Sequence, residues 1–326
     1  MSTALCAPDS FKGTLSAHQV AGAMAAGLRE AGWSAEELPL ADGGEGTMEA
    51  LLAALGGERR RAPVSDPLGR KIDAQYALLA DGRAVVEVAA ASGLTLLAPE
   101  ERDAWAASSR GTGELIAAAA ATGAEQVLVA AGGSASTDGG GGAVEALSRS
   151  EIRPPLVVLC DVGVPFEQAA PLFAPQKGAD ERTVRRLERR LDEFARSAPR
   201  DPRGVPLTGA AGGLSGGLWA HFGAVLVRGA SWLLDRSGFK DRLAESTLVL
   251  TGEGQLDGTT AAGKLVAEVG ARCRDRGVRC CAIVGRSTLS GTEARRDLGL
   301  AEVRVAGDPD SITAAAAELA ATCTSR

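Results

Sequence analysis

The sequence predicts an α/β protein with two α/β domains. One is a doubly wound parallel sheet formed by both chain ends, and the second is inserted in the middle with a mixed sheet. Three observations carry this. Strand-then-helix texture opens the chain, stops near residue 60 and returns from about residue 245. Between those points, two extended segments flank Asp81-Gly82, the signature of an antiparallel hairpin. The length, 326 residues, also fits two domains at ~150 residues each. The expected division is residues 1–60 plus 245–326 as a discontinuous Rossmann- or flavodoxin-like domain. Residues 61–244 form the inserted α/β domain, which carries the glycine-rich loop.

The elements follow in order. Residues 3–7 are a first strand closed by Pro8. Ser16 and Gln19 make a capping box, and Val20, Met24 and Leu28 give the helix one buried stripe, ending near Gly32. Residues 37–40 read as a second strand with Pro39 at an edge. Met48, Leu51, Leu52 and Leu55 then mark a helix stopped by Gly56-Gly57. Arg59-Arg60-Arg61 reads as a solvated run at a boundary. Residues 72–78 and 84–88 are the hairpin, and Ser108 to Gly113 opens an alanine-rich helix. Residues 126–131 and 156–160 are short apolar runs of the kind that form buried parallel strands. Val184, Leu187, Leu191 and Phe194 space an amphipathic helix. Beyond a charged loop and the glycine turn Gly209 to Gly217, residues 248–250, 282–284 and 302–305 restore the opening texture. A helix starts there near Lys264.

Composition narrows the chemistry. Hydrophobic residues reach 45% but aromatics only 3%, so the core is mostly Ala, Val and Leu. A net charge of -6 without basic runs interleaved with aromatics argues against nucleic acid. No apolar run approaches the ~18 residues of a membrane span, and no basic–apolar leader opens the chain. The expected location is cytoplasmic. Six cysteines form no C-x-x-C pair, as in reduced, buried small residues. Only His18 and His221 are present, which disfavours a histidine triad or a zinc site.

The candidate chemistry lies in the loops after strands. Gly132-Gly133-Ser134-Ala135-Ser136-Thr137-Asp138-Gly139-Gly140 joins a buried strand to a helix. Glycines there permit positive φ and close approach, and the helix N-terminus attracts an anion, most often phosphate. Asp9-Ser10-Phe11-Lys12 and Asp42 sit at the carboxyl ends of the first two strands, where open α/β sheets place ligands. Arg110 opens a helix, and Lys177 is the one cation of its loop. Gly258 to Lys264 matches G-x-x-x-x-G-K, but Leu265 replaces the Ser or Thr that a P-loop needs for magnesium. The P-loop is rejected, with Lys264 retained as a phosphate contact. The absence of G-x-G-x-x-G after the first strand also disfavours a Rossmann dehydrogenase.

Six motifs in this order resemble the type 1 glycerate kinases over nearly the whole chain. They are Asp9 to Gly13, Ala41 to Thr47, Gly132 to Gly140, Pro175 to Ala179, Gly209 to Gly213 and Thr251 to Asp257. The resemblance implies an ATP-dependent kinase that phosphorylates glycerate, usually on the 2-hydroxyl, with its active site in the cleft between two α/β domains. The alternatives are 3-phosphoglycerate as product, or a non-catalytic nucleotide- or organic-acid-binding relative. With this chemistry Asp42 is the expected base, with Lys12 and Asp138 beside it as catalytic groups; Asp42 and Asp138 are interchangeable in these roles. Asp9, Ser10, Arg110 and Lys177 would bind substrate. Gly132, Gly133, Ser134, Thr137, Gly139, Gly140 and Lys264 would bind ATP, and Asp138, Glu253 and Asp257 would hold Mg²⁺. Expected partners are glycerate and nucleotide, with room for a homodimer and neither nucleic acid nor membrane. The chain departs from the family by being shorter between Leu147 and Pro155 and within 161–173. Leu265-Val266 also replaces a proline-containing segment.

Overall fold

The computed structural model describes residues 2–258, 260 and 264–324. The stretch 259 and 261–263, part of the P-loop-like match, lies outside the described residues. The chain divides into two compact units, residues 1–42 with 230–326 and residues 43–229. The two crossings thus fall at Asp42–Gly43 and Gly229–Ala230, earlier than the 60 and 245 read from texture. The reason is packing. The helix Thr47–Leu55 contacts the hairpin strands of the second unit. The helices Gly229–Arg236 and Phe239–Ala244 send Ala230, Leu234, Phe239 and Leu243 into a core of the first.

The first unit is a five-stranded parallel sheet. Its spatial order is Glu302–Val305, Arg279–Val284, Leu248–Thr251, Thr3–Cys6, Ser34–Glu37. Both faces are covered, and the pleat shows why. Ala4, Cys6, Leu248, Leu250, Cys281 and Ile283 point to the helices Ala17–Glu30 and Pro309–Thr324. The alternate residues Leu5, Ala7, Val249, Cys280, Ala282 and Val284 point to Leu265–Arg276 and Gly291–Leu298. Small side chains set the spacing: a Cβ on Gly27 would stand 2.0 Å from the Thr313 carbonyl oxygen. The second strand lies at Ser34–Glu37 rather than 37–40. Leu38 and Leu40 still donate to the Cys6 and Pro8 carbonyls, but Pro39 has no N–H to continue the ladder.

The second unit carries a six-stranded mixed sheet ordered Gly57–Ser65, Lys71–Leu79, Arg83–Glu87, Gln126–Ala131, Leu156–Cys160, Val225–Arg228. The first two pairings are antiparallel and the other three parallel. Arg59-Arg60-Arg61, expected to be a solvated boundary run, is the middle of the edge strand. Arg59 pairs with Glu49 and Arg60 with Glu58, and charge on an edge strand discourages pairing with another chain. The helices Arg110–Ala121, Gly141–Ser148 and Leu214–Phe222 bury Leu115, Ile116, Ala143, Leu147, Leu214 and Leu218 against this sheet. Among the described residues no helix is long and apolar enough to cross a membrane, and every cysteine is free, five of them buried.

Candidate active site

In the first unit, three adjacent strands end in carboxylates. Asp9 follows Thr3–Cys6, Asp42 follows Ser34–Glu37 and Glu253 follows Leu248–Thr251. All three are buried, at 4%, 4% and 9% exposure. The Lys12 ammonium stands 3.1 Å from Asp42 Oδ2, and the Ser10 N–H donates to Asp9 Oδ1 at 2.6 Å. Burial pushes the Asp9 carboxyl well above its ordinary range, and the Asp42 charge pushes it further against the pull of Lys12. Glu253 is raised mainly by burial. The Thr260 hydroxyl, which donates to Oε1 at 2.7 Å, and Lys264, 3.9 Å from Oε2, oppose that shift. Asp257 accepts from Gln255 Nε2 at 2.9 Å, and its N–H donates to Thr260 Oγ1. Like charges gathered at strand ends and countered by two lysines form a site poised for charged ligands.

The glycine loop of the second unit behaves differently from the sequence expectation. The helix Gly141–Ser148 does begin there, but its N–H groups are already taken. Gly140 and Gly142 donate to the Asp138 carboxylate at 3.1 and 3.2 Å, and Gly141 to the Asp138 carbonyl. The N–H of Ala143 donates to Ser109 Oγ. Ser109 adds its own N–H and hydroxyl to Asp138 Oδ2 at 2.9 and 2.8 Å. Asp138 therefore occupies the place at the helix N-terminus where a phosphate would sit. Gly139 and Gly140 have φ of 67° and 79°, and a Cβ on either would collide with Phe166 or Leu214 at 2.9 Å. Their glycines serve close packing inside the unit.

The other half of the loop is polar and incompletely satisfied. Lys177, 3% exposed, donates to Ser134 Oγ at 2.9 Å and to the Ser136 carbonyl at 2.5 Å. Burial pushes its pKa down to about 8, while the nearby Asp138 and Asp161 charges hold it up. The Ser136 and Thr137 hydroxyls are fully buried without a hydrogen-bond partner. Gly133 is exposed and has φ of 67°. A Cβ on Gly132 would meet Gly44 at 2.6 Å and Asp161 Oδ2 at 3.2 Å. Arg110 is not part of this cluster: its guanidinium pairs with Glu114 at 2.9 Å and Glu145 at 3.4 Å.

Two groups went unread in the sequence. Glu87 ends its strand, is 9% exposed and accepts the Met48 N–H at 2.8 Å, closing the helix Thr47–Leu55 that has no side-chain cap of its own. The signal was there, a lone carboxylate ending an apolar strand, the same pattern that marked Asp42. Thr260, which orients Glu253, carried no distinguishing pattern. Among the described residues, no group of three or more His, Cys, Asp or Glu is arranged to hold a metal ion.

Comparison with known proteins agrees along the whole chain. A model of the glycerate kinase family matches residues 4–153 and 148–325. The matches meet in the segment where the sequence looked shortened. The glycerate 2-kinase of Escherichia coli (strain K12) is 35% identical over 299 residues, covering 79% of this chain and 78% of that protein. A glycerate kinase of Halalkalibacterium halodurans is 36% identical, covering 92% and 89%. A crystal structure described as a candidate glycerate kinase 2 of Salmonella typhimurium LT2 superposes with a TM-score of 0.80 at 32% identity, over 99% of this chain and 98% of that one. A family match over nearly all of the chain, relatives at 35% and 36% identity and a structure that superposes over 99% of it leave one conclusion: the chain belongs to the glycerate kinase family.

Proposed function

We propose that this protein transfers the terminal phosphoryl group of ATP to the 2-hydroxyl of D-glycerate. The observation that carries the reading is the set of buried carboxylates Asp9, Asp42 and Glu253 at the ends of three neighbouring strands, with the Lys12 and Lys264 ammonium groups beside them. Phosphoryl transfer asks chiefly for positioning and charge neutralisation, and no unusual nucleophile is needed. Asp42 is the proposed base for the hydroxyl proton. Lys12, bonded to it and half in solvent, is placed to follow charge as it moves onto the transferred group. The 2-hydroxyl is favoured by the Escherichia coli relative, which carries that specificity in its name.

The residues present fit magnesium. Glu253, buried at a strand end, offers an oxygen donor, and burial holds its carboxyl above the ordinary range, a shift that the charge of a divalent cation would oppose. Magnesium commonly uses one or two carboxylates with substrate phosphates, so Glu253 would hold it, with Asp257 linked to it through Thr260. When bound, it would neutralise charge on the phosphate oxygens. Asp138 is engaged otherwise: its two oxygens accept four hydrogen bonds from Ser109, Gly140 and Gly142, which tie it to the helix N-terminus.

Incubation with ATP, magnesium and D-glycerate tests the reading. Phosphorus NMR should show a 2-phosphoglycerate that enolase consumes. A product that enolase leaves untouched would overturn the 2-hydroxyl assignment, and no product at all would overturn the kinase.

A further inference from the structure

Resting on the kinase reading, we infer that the loop Ser134–Thr137 with Lys177 holds the glycerate carboxylate, and that the ATP phosphates bind elsewhere. Four observations lead there. First, the helix N-terminus that would draw a phosphate to this loop is filled by Asp138. Second, Lys177 is buried with only a hydroxyl and a carbonyl as partners, and no carboxylate of the described residues lies within ion-pair distance. A buried ammonium in that state lacks the opposite charge that normally justifies its burial. Third, the Ser136 and Thr137 hydroxyls are buried donors with nothing to bond, an expensive arrangement unless a ligand completes it.

The fourth observation is the local charge. Three parallel strands of this unit end in Glu87, just before Asp161, and in Arg228, with Asp138 and Lys177 at the loop. Arg228 lies over Gly163, where a Cβ would stand 3.3 Å from its guanidinium. Two cations among three acids cannot compensate a triphosphate. One ammonium ringed by hydroxyls suits a compact monoanion, and glycerate brings one carboxylate together with hydroxyls of its own. The loop is reached from solvent at its exposed Gly133, beside the half-buried Asp161. Asp161, against Gly132, is placed to accept from a substrate hydroxyl.

The test uses the full-length chain with Lys177→Met and Thr137→Val. Losing the ammonium should raise the glycerate KM roughly 30-fold or more, the usual cost of truncating a buried charged contact. Losing the Thr137 hydroxyl should raise it roughly three- to tenfold, one neutral hydrogen bond's worth. The KM for ATP should stay within about twofold in both. Thr137→Val carries a second signature. Its hydroxyl is unpaired in the free protein, so a methyl there should leave the melting temperature equal or higher while substrate binding weakens. Calorimetry of D-glycerate alone on the parent and on Thr137→Val separates this inference from the kinase reading, since it needs no turnover. Binding to the parent that weakens in the variant upholds the inference even if no phosphoryl is transferred. A shift of the ATP KM with the glycerate constant unchanged overturns it. So does a Thr137→Val protein that melts lower and binds glycerate as before.

Discussion

Asp42 is buried, faces a half-exposed ammonium and lies within the electrostatic reach of Asp9. These facts give function and stability opposite signs. Asp42→Asn keeps the size and removes the base, so turnover should fall roughly 10²–10⁴-fold while both KM values change little. The same substitution removes one of several crowded negative charges. The melting temperature should therefore hold or rise, as when an active site is relieved of strain between like charges. Near-normal turnover in the folded variant would take Asp42 out of the mechanism. Glu87 makes a second residue-scale prediction. Burial holds its carboxyl up at about 7, from an ordinary 4.5. A raised folded-state pKa means the native protein binds the proton more tightly than the unfolded chain. Its contribution to stability is thus complete below about pH 4.5 and is lost as the pH rises to about 7, a change on the order of 3 kcal/mol. Glu87→Gln keeps an acceptor for the Met48 N–H and should flatten the melting temperature between pH 5 and 7. An unchanged slope in the variant would show that other groups set it. Asp42 was legible in the sequence as a carboxylate among glycines at a strand end. The saturation of Asp138 was not, because it depends on Ser109, far away in sequence and on another helix.

At the scale of elements, glycine motifs that look alike in sequence divide by what surrounds them. The turn Gly209 to Gly213 interlocks with the central loop: Gly139 donates to the Gly212 carbonyl at 3.1 Å, and a Cβ on Gly212 would stand 2.1 Å from the Ser136 carbonyl oxygen. Its neighbour Ala211 holds φ 52° and ψ 44°, a left-handed conformation that costs a non-glycine residue about 1 kcal/mol. Gly212 has φ of 67° and Gly204 of 72°, but around Gly204 nothing lies within 4 Å of an added Cβ. Gly204→Ala should therefore cost about 1 kcal/mol for backbone strain alone. Gly212→Ala adds overpacking to that strain and should cost roughly 2–4 kcal/mol. Urea denaturation of the two variants isolates the packing contribution, and equal losses would mean the turn is not locked onto the loop. Strands and helices with strong periodicity, such as the alanine-rich helix and the apolar run before Gly132, were readable from sequence. The edge strand Gly57–Ser65 was not, since its exposed arginines obey the requirement of a protected edge rather than the alternation of a half-buried strand. Nor was it readable that the loop's glycines at 139 and 140 pack against Phe166 and Leu214.

At the scale of the whole molecule, the return of strand-helix texture late in the chain revealed a discontinuous unit, because a parallel sheet needs both of its layers of helices to bury its strands. Texture could not locate the crossings, which depend on which core receives each flanking helix. The structure makes those crossings testable. The second unit, residues 43–229, is one continuous segment with its own six-stranded sheet and core. Its two ends meet: a Cβ on Gly43 would stand 2.7 Å from the Gly229 Cα. A segment whose ends touch can be removed without stretching the chain it interrupts. Residues 43–229 expressed alone should fold, with a cooperative thermal transition and native circular dichroism. Joining Asp42 to Ala230 through a few glycines should give a folded five-stranded unit that keeps the Lys12–Asp42 pair, since Asp9, Asp42 and Glu253 are all positioned by strands of that sheet. Cooperative melting of both pieces would establish two independent cores. A second unit that melts without cooperativity on its own would mean that its core is completed by the first, and the crossings at Asp42–Gly43 and Gly229–Ala230 would then mark a chain path and not a boundary of folding.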